Sequence, residues 1–305
     1  MSSSPRQAER LLTRLEWTVI RRLDGLLQGD YRTLFRGTGL DFADLREYQI
    51  HDDVRHIDWN VTARTQVPHV RIYTEDRDLT AWFLVDLSPS VDFGSRDRDK
   101  RQVLTEFVAV MARLFAQRGN KVGAILFDGV SELMVPARAG RRHVMHVIDK
   151  ILAHPRRLRA PATDLSAFFR RAAATIRRRS VVFAISDFVS QPGWEIPLGL
   201  MNDRHDTLAV RVTDPLEHTL PDIGLLPFED AESGEQLIVD TSDPGFRRRF
   251  ADAAEAWEDY VLGAFEQAGV DALEVRTDDD LVEAILRFAD MRKSQARLSQ
   301  AGMVA

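Results

Sequence analysis

From Leu79 onward the chain alternates between two hydrophobic rhythms. Short apolar, β-branched runs at 81–86, 121–127, 181–186, 207–212 and 272–276 read as buried strands. Between them, apolar residues recur at i, i+3, i+4 and i+7, which predicts helices. Residues 100–117 bring Val103, Phe107, Val110, Met111 and Leu114 to one face, and residues 141–152 form a helix that Pro155 ends. Residues 165–179 carry Leu165, Phe168, Phe169, Ala172 and Ile176 on one stripe. A weaker helix near 194–202, a long one over 245–267 and a closing one over 280–291 follow. Strands alternating with helices imply an α/β fold, a doubly wound, mostly parallel sheet flanked by helices on both faces.

Several stretches depart from this rhythm. Asp128-Gly129 is a hairpin-type turn, so 132–135 is expected as a short antiparallel edge strand. Residues 215–240 show no helical stripe, but LLPFED and EQLIVD flank Glu232-Ser233-Gly234 as in an inserted β-hairpin. Residues 8–28 are amphipathic, with Leu11, Leu12, Leu15, Val19 and Leu23 on one stripe, and this helix is expected to end near Gly29. The charged segment 31–78 reads as strands and loops rather than helix, and the tail from Arg292 as polar and frayed. The expected division is a helix with a strand-rich flap over 1–78, an α/β domain over 79–291 and a tail over 292–305.

Composition narrows the chemistry. The absence of cysteine excludes disulfides, thiolate metal sites and cysteine nucleophiles. No window approaches the ~20 apolar residues of a membrane span, and the first ten residues lack the apolar centre of a secretion signal, so a cytoplasmic location is expected. Residues 141–180 hold 11 basic against two acidic side chains, and 181–290 hold seven against 25. The basic stretch is expected to be a solvated helix face rather than a nucleic-acid surface, because Arg170, Arg171, Arg177 and Arg178 fall opposite the apolar stripe. There is no phosphate-binding loop motif, no G-x-S-x-G and no H-E-x-x-H.

Five oxygen-bearing residues stand out: Asp86, Ser88 and Ser90 after the 81–86 run, Thr163 before a helix, and Asp187 after the 181–186 run. Ligands of open α/β sheets collect at the carboxyl ends of strands, so these side chains are placed to converge on one hard cation. The competing reading spends the same residues on local structure: Ser88 and Ser90 cap a helix, Thr163 or Asp164 caps the next, and Asp187 starts a turn. His143 and His146 share a helix face without carboxylate company, and His51 and His56 lie five apart. All four read as surface or capping histidines.

At the five oxygen residues the chain resembles a von Willebrand factor type A domain. The resemblance assigns Asp86, Ser88, Ser90, Thr163 and Asp187 to a metal-ion-dependent adhesion site. It implies Mg²⁺, or another divalent ion such as Mn²⁺ or Ca²⁺, and partner binding rather than catalysis. The segment RGTGLDFADLREYQIHDDVRHIDWNVTARTQVPHVRIYTEDRD, with Asp86 and Asp92-Phe93-Gly94, closely resembles the signature of the domain of unknown function 58 family. Its members are typically encoded beside MoxR-type AAA+ ATPases, which implies such an ATPase and a client protein as partners. His51 stands where that family usually has glycine.

Within this block Asp41, Asp44, Glu47, Asp52, Asp53 and Asp58 interleave with Arg36, Arg46, Arg55 and Arg64. They suit either ion pairs that pin the flap or a binding surface. The expected function is a metal-dependent protein-binding adaptor. The enzyme alternative is a Mg²⁺-dependent phosphoryl hydrolase of the haloacid dehalogenase type, which needs a second Asp where Ser88 stands.

Overall fold

The structure, a computed structural model, describes residues 5–26, 44–48, 57, 59–72, 79–95, 97–157, 160–229 and 236–302. In chain order the elements begin with α1 (Pro5–Leu15), a π-helical turn over Glu16–Ile20, and α2 (Arg21–Leu26). Then come β1 (Asp44–Glu47), α3 (Trp59–Thr65), β2 (His69–Ile72) and β3 (Thr80–Asp86). A 3-10 turn over Pro89–Asp92 precedes α4 (Lys100–Gln117), β4 (Lys121–Phe127), β5 (Glu132–Arg138) and α5 (Arg141–Ala153). They are followed by α6 (Leu165–Thr175), β6 (Val181–Ser186), α7 (Glu195–Asn202), β7 (Asp206–Thr213) and the single turn α8 (Pro215–His218). The chain closes with β8 (Leu225–Glu229), β9 (Gln236–Asp240), α9 (Pro244–Ala268), β10 (Asp271–Arg276) and α10 (Leu281–Gly302).

Six strands form the central sheet in the order β10-β7-β6-β3-β4-β5. All neighbours are parallel except β5, which returns antiparallel to β4. That reversal is set by Asp128, whose Oδ1 accepts from the amides of Val130 (3.0 Å) and Ser131 (2.7 Å), and by Gly129 at φ +84°. From β3 the chain first builds outward through β4 and β5, then resumes on the other side with β6, β7 and β10. The order therefore reverses between β3 and β6, and a crevice is expected at that switch point.

Alternate residues of the same strands feed two apolar layers. Phe83, Val85, Phe183, Ile185 and Val210 point toward α1, α4, α5 and α10, while Trp82, Leu84, Val182, Ala184 and Ala209 point toward α6, α7 and α9. Phe83 and Phe183, paired in register, stack at 5.0 Å, with Phe107 and Phe115 edge-on to Phe183. Each fully buried phenylalanine contributes roughly 1.5–3 kcal/mol. Leu12, Leu15 and Leu23 of the amino-terminal helices are buried in the first layer. Gly123, opposite Trp82 in the ladder, is required by packing, since a Cβ there would stand 2.8 Å from the indole ring.

The predicted strands and helices of the α/β region recur with small shifts, the expected helix end near Gly29 lies outside the described residues, and five expectations need correction. Segment 31–78 contains a helix, α3, between the antiparallel strands β1 and β2; two turns are too short to display a period against dense charge. The edge strand runs to Arg138 rather than 135. The helix expected over 165–179 ends at Thr175, because residues 176–180 carry the chain back to the sheet. The 215–240 insertion opens with α8, one turn and so without a stripe, before the β8–β9 hairpin; the Glu232-Ser233-Gly234 turn lies outside the described residues. The polar tail from Arg292 is helical to Gly302. Arg292 is itself buried, its guanidinium donating to Asp206 Oδ1 (3.1 Å) and Asp271 Oδ2 (2.7 Å).

Candidate metal site at the strand ends

β3 ends on Asp86, and the ladder continues one residue further as the Leu87 amide donates to the Phe127 carbonyl at 2.6 Å. The Ser88 amide then donates to Asp86 Oδ1 (2.9 Å), folding the chain into the 3-10 turn. The Ser88 hydroxyl makes no capping bond to this turn and lies 3.1 Å from Ser90 Oγ. The next helix, α4, is capped by Asp99 in a reciprocal box with Gln102. Gly94 makes the approach to that helix feasible, because a Cβ there would sit 2.5 Å from the Asp99 Cα.

Likewise α6 is capped by Asp164, which accepts from the Ala167 amide at 2.8 Å. Thr163 is buried, and its carbonyl accepts from Ser190 Oγ (2.8 Å) and the Gln191 amide (3.1 Å). These bonds tie Thr163 to the loop that follows β6. Helix capping thus falls to Asp99 and Asp164, leaving the hydroxyls of Ser88 and Ser90 turned toward each other.

At the end of β6, the Ser186 hydroxyl donates to Asp86 Oδ2 at 2.6 Å and accepts from the Phe188 amide at 2.8 Å. Asp187 follows, its Oδ1 accepting from the Val189 amide at 3.1 Å. Phe188 has φ +60°, a strained value for an aromatic residue. Packing holds it there: its ring lies 4.9 Å from Trp194 and 4.8 Å from Phe265.

All five candidate residues are buried. Burial, reinforced by the negative charge of Asp187, pushes the Asp86 carboxyl up to about 6. A buried lysine offsets part of this charge: Lys100 Nζ lies 2.7 Å from Asp187 Oδ2 and 2.5 Å from Glu217 Oε1. Burial pushes the Lys100 ammonium down, but Asp187 and Glu217 outweigh it and hold the group above its ordinary value. Glu217 is set by a second capping box, in which its Oε2 accepts from the Asp214 amide at 2.9 Å. Asp214 in turn accepts from the Ser95 amide (3.0 Å) and Thr277 Oγ1 (2.7 Å), fixing α8 to the strand ends.

Lys100, Ser186 and Glu217 were absent from the residues singled out by sequence. A polar residue ending the apolar run 181–186 was a visible signal for Ser186, and Asp214-Pro-x-Glu a visible capping motif for α8. Nothing local in the sequence connects Lys100 to Asp187, 87 positions away.

The five predicted residues offer two carboxylates and three hydroxyls, all oxygen donors of the kind a hard divalent cation takes. Among the described residues no group of three or more His, Cys, Asp or Glu side chains is placed to hold a metal. A cation held here would therefore need the hydroxyls and water as further donors. His143 spends Nε2 on the Val122 carbonyl at 3.0 Å, with the His146 ring 6.1 Å away. Arg170 and Arg171 are exposed on α6, Arg171 pairing with Glu132 at 2.6 Å, whereas Arg177 and Arg178 are exposed in the segment after that helix.

In the signature block, Asp44, Arg46 and Glu47 lie on β1, and Trp59 is exposed. Arg36, Asp41, His51, Asp52, Asp53, Arg55, His56 and Asp58 lie outside the described residues. Among the described residues no helix is long and apolar enough to cross a membrane.

Comparison with known proteins places this geometry in context. An uncharacterized protein of Mycobacterium bovis is 39% identical over 293 residues, spanning 96% of this chain and 92% of its own. Similar solved structures include an aerotolerance-related membrane protein from Bacteroides fragilis, at 12% identity and a TM-score of 0.48, covering 71% of this chain and 99% of that one. The SpRpn10 VWA domain is also similar, at 12% identity and a TM-score of 0.37, covering 69% and 94%. The profile of the family described as "Protein of unknown function DUF58" matches residues 44–259, and the chain belongs to that family.

Proposed function

We infer that this von Willebrand factor A-type protein is a metal-dependent protein-binding adaptor that works with a MoxR-type AAA+ ATPase on another protein. The observation that carries the reading is the convergence of Asp86 and Asp187 at the ends of the adjacent parallel strands β3 and β6, with the hydroxyls of Ser88 and Ser90 beside them. Asp86, Ser88, Ser90, Thr163 and Asp187 would hold the ion, Mg²⁺ or another divalent cation. Once bound, it would supply an electrophilic position for a carboxylate of the partner. Ser186 and the Ser88 amide orient Asp86, while the strained turn at Phe188 presents Asp187.

Further support for a protein-facing role comes from the insertion after β7. There Ile223, Leu225, Leu237 and Ile238 are exposed, more apolar surface than a hairpin needs for its own packing. The ATPase enters through the gene neighbourhood typical of the family.

Thermal melting with and without Mg²⁺, Mn²⁺ and Ca²⁺ tests the metal, comparing wild type with Asp187→Ala. A midpoint that rises with metal only in the wild type is expected, since a ligand that binds the folded state stabilises it. No shift at millimolar metal in the wild type sinks the reading. Co-purification of the ATPase with wild type but not with Asp187→Ala tests the partner.

A further inference from the structure

Lys100 is one of four lysines, with Lys121, Lys150 and Lys293, among 41 basic residues. Other buried ion pairs among the described residues use arginine, as in Arg211 on Glu258, Arg292 on Asp206 and Arg101 on Asp92. A guanidinium suits that task, being planar, weakly hydrated and able to satisfy several acceptors at once. An ammonium is a compact, strongly hydrated point charge and is costly to bury. Yet the Lys100 side chain is only 1% exposed, and it touches one of the two carboxylates at the switch point.

Its geometry resembles that of a small inorganic cation held by two carboxylates. Asp187 Oδ2 lies at 2.7 Å and Glu217 Oε1 at 2.5 Å from Nζ. The two acceptors differ in setting. The Asp187 side chain is buried among the candidate ligands, whereas that of Glu217 is 30% exposed on α8.

We propose that Lys100 is an internal competitor for the cation site, its ammonium holding the Asp187 oxygen that a divalent ion needs, with Glu217 as the seat to which it withdraws. This rests on reading the Asp86–Asp187 crevice as a cation site. It makes cation affinity a property set by Lys100 and Glu217 rather than by the five oxygen residues alone. Because a bound ion and the ammonium share Asp187, like-charge repulsion opposes both being there together. Glu217 favours the ion by stabilising the lysine in its displaced position.

Calorimetric titration with Mn²⁺ of the full chain tests this, using wild type, Lys100→Met, Glu217→Gln and Asp187→Asn. The expected result is affinity at least ~10-fold tighter for Lys100→Met, weaker for Glu217→Gln and lost for Asp187→Asn, a step of about 1.4 kcal/mol per tenfold. Wild-type binding that Lys100→Met leaves unchanged or weakens overturns the competitor role while leaving the cation site standing. Absence of Mn²⁺ binding in both wild type and Lys100→Met overturns the cation site itself, and the competitor with it.

Should Lys100→Met fail to fold, NMR of the wild type labelled with ¹⁵N-lysine decides. With four lysines, the Lys100 Nζ signal can be followed as Mg²⁺ is added. A shift that tracks the thermal stabilisation supports the proposal. A signal that stays fixed while Mg²⁺ stabilises the protein overturns it.

Discussion

The Ser186 hydroxyl donates a 2.6 Å hydrogen bond to Asp86 Oδ2, joining β6 to β3 at the point where the sheet reverses its order. Ser186 Oγ also accepts from the Phe188 amide, so one atom orients one carboxylate and shapes the turn carrying the other. Ser186→Ala is expected to fold with a lower melting midpoint, because a buried acceptor loses its donor at a cost of ~1–3 kcal/mol. Mn²⁺ affinity is expected to fall roughly 10-fold or more, as for other residues that orient ligands. Calorimetry and melting on one sample check this; affinity equal to wild type removes the positioning role.

Trp82 and Gly123 face each other across β3 and β4 with no room for a methyl group. Gly123→Ala is expected to destabilise by ~1–3 kcal/mol through overpacking. Combining it with Trp82→Leu should recover part of that loss, so urea unfolding of the four-member cycle should show non-additivity.

Arg292 links α10 to the sheet through Asp206 and Asp271. Arg292→Ala leaves two carboxylates without their guanidinium, one of them buried, and is expected to cost ~3–5 kcal/mol. Adding Asp206→Asn should restore stability relative to the single variant. An Arg292→Ala protein as stable in urea as wild type would show that these ion pairs contribute little, leaving α10 held by its buried apolar face.

Asp128, at the end of β4 next to the Asp86 end of β3, supplies a pH dependence of its own. Burial pushes its carboxyl up, but the Ser131 amide, the Arg157 guanidinium and the Val130 amide outweigh this and hold it well below the usual range. Because the folded value is depressed, the contribution is complete above the unfolded value of ~3.9 and is lost as pH falls below it. Asp128→Asn is therefore expected to melt below wild type at pH 7, with the gap closing progressively as the pH falls from ~4 toward the depressed folded value. A constant gap across that range would exclude the charged turn as its cause.

Much of the sheet was legible because parallel strands buried on both faces are apolar throughout. Runs such as 181–186 need no partner to be recognised, and Lys100–Gln117 shows a full helical period over 18 residues. Elements below two or three turns were not legible. Neither α3 nor α8 is long enough for a stripe, although the capping box at Asp214 marked α8. The buried state of Arg292 was hidden because its partners sit on β7 and at the start of β10.

The sequence by itself determined the alternation of strand and helix, the absence of thiol chemistry, and the oxygen-bearing residues at strand ends, because each is written in local order and composition. Tertiary structure alone decided which of those ends become neighbours. It set Ser186 against Asp86, and it brought Lys100, from the start of α4, onto both Asp187 and Glu217. The reason is that sheet order and helix placement arise from long-range packing. A charge buried by that packing must find its counter-charge in space, wherever the chain supplies it.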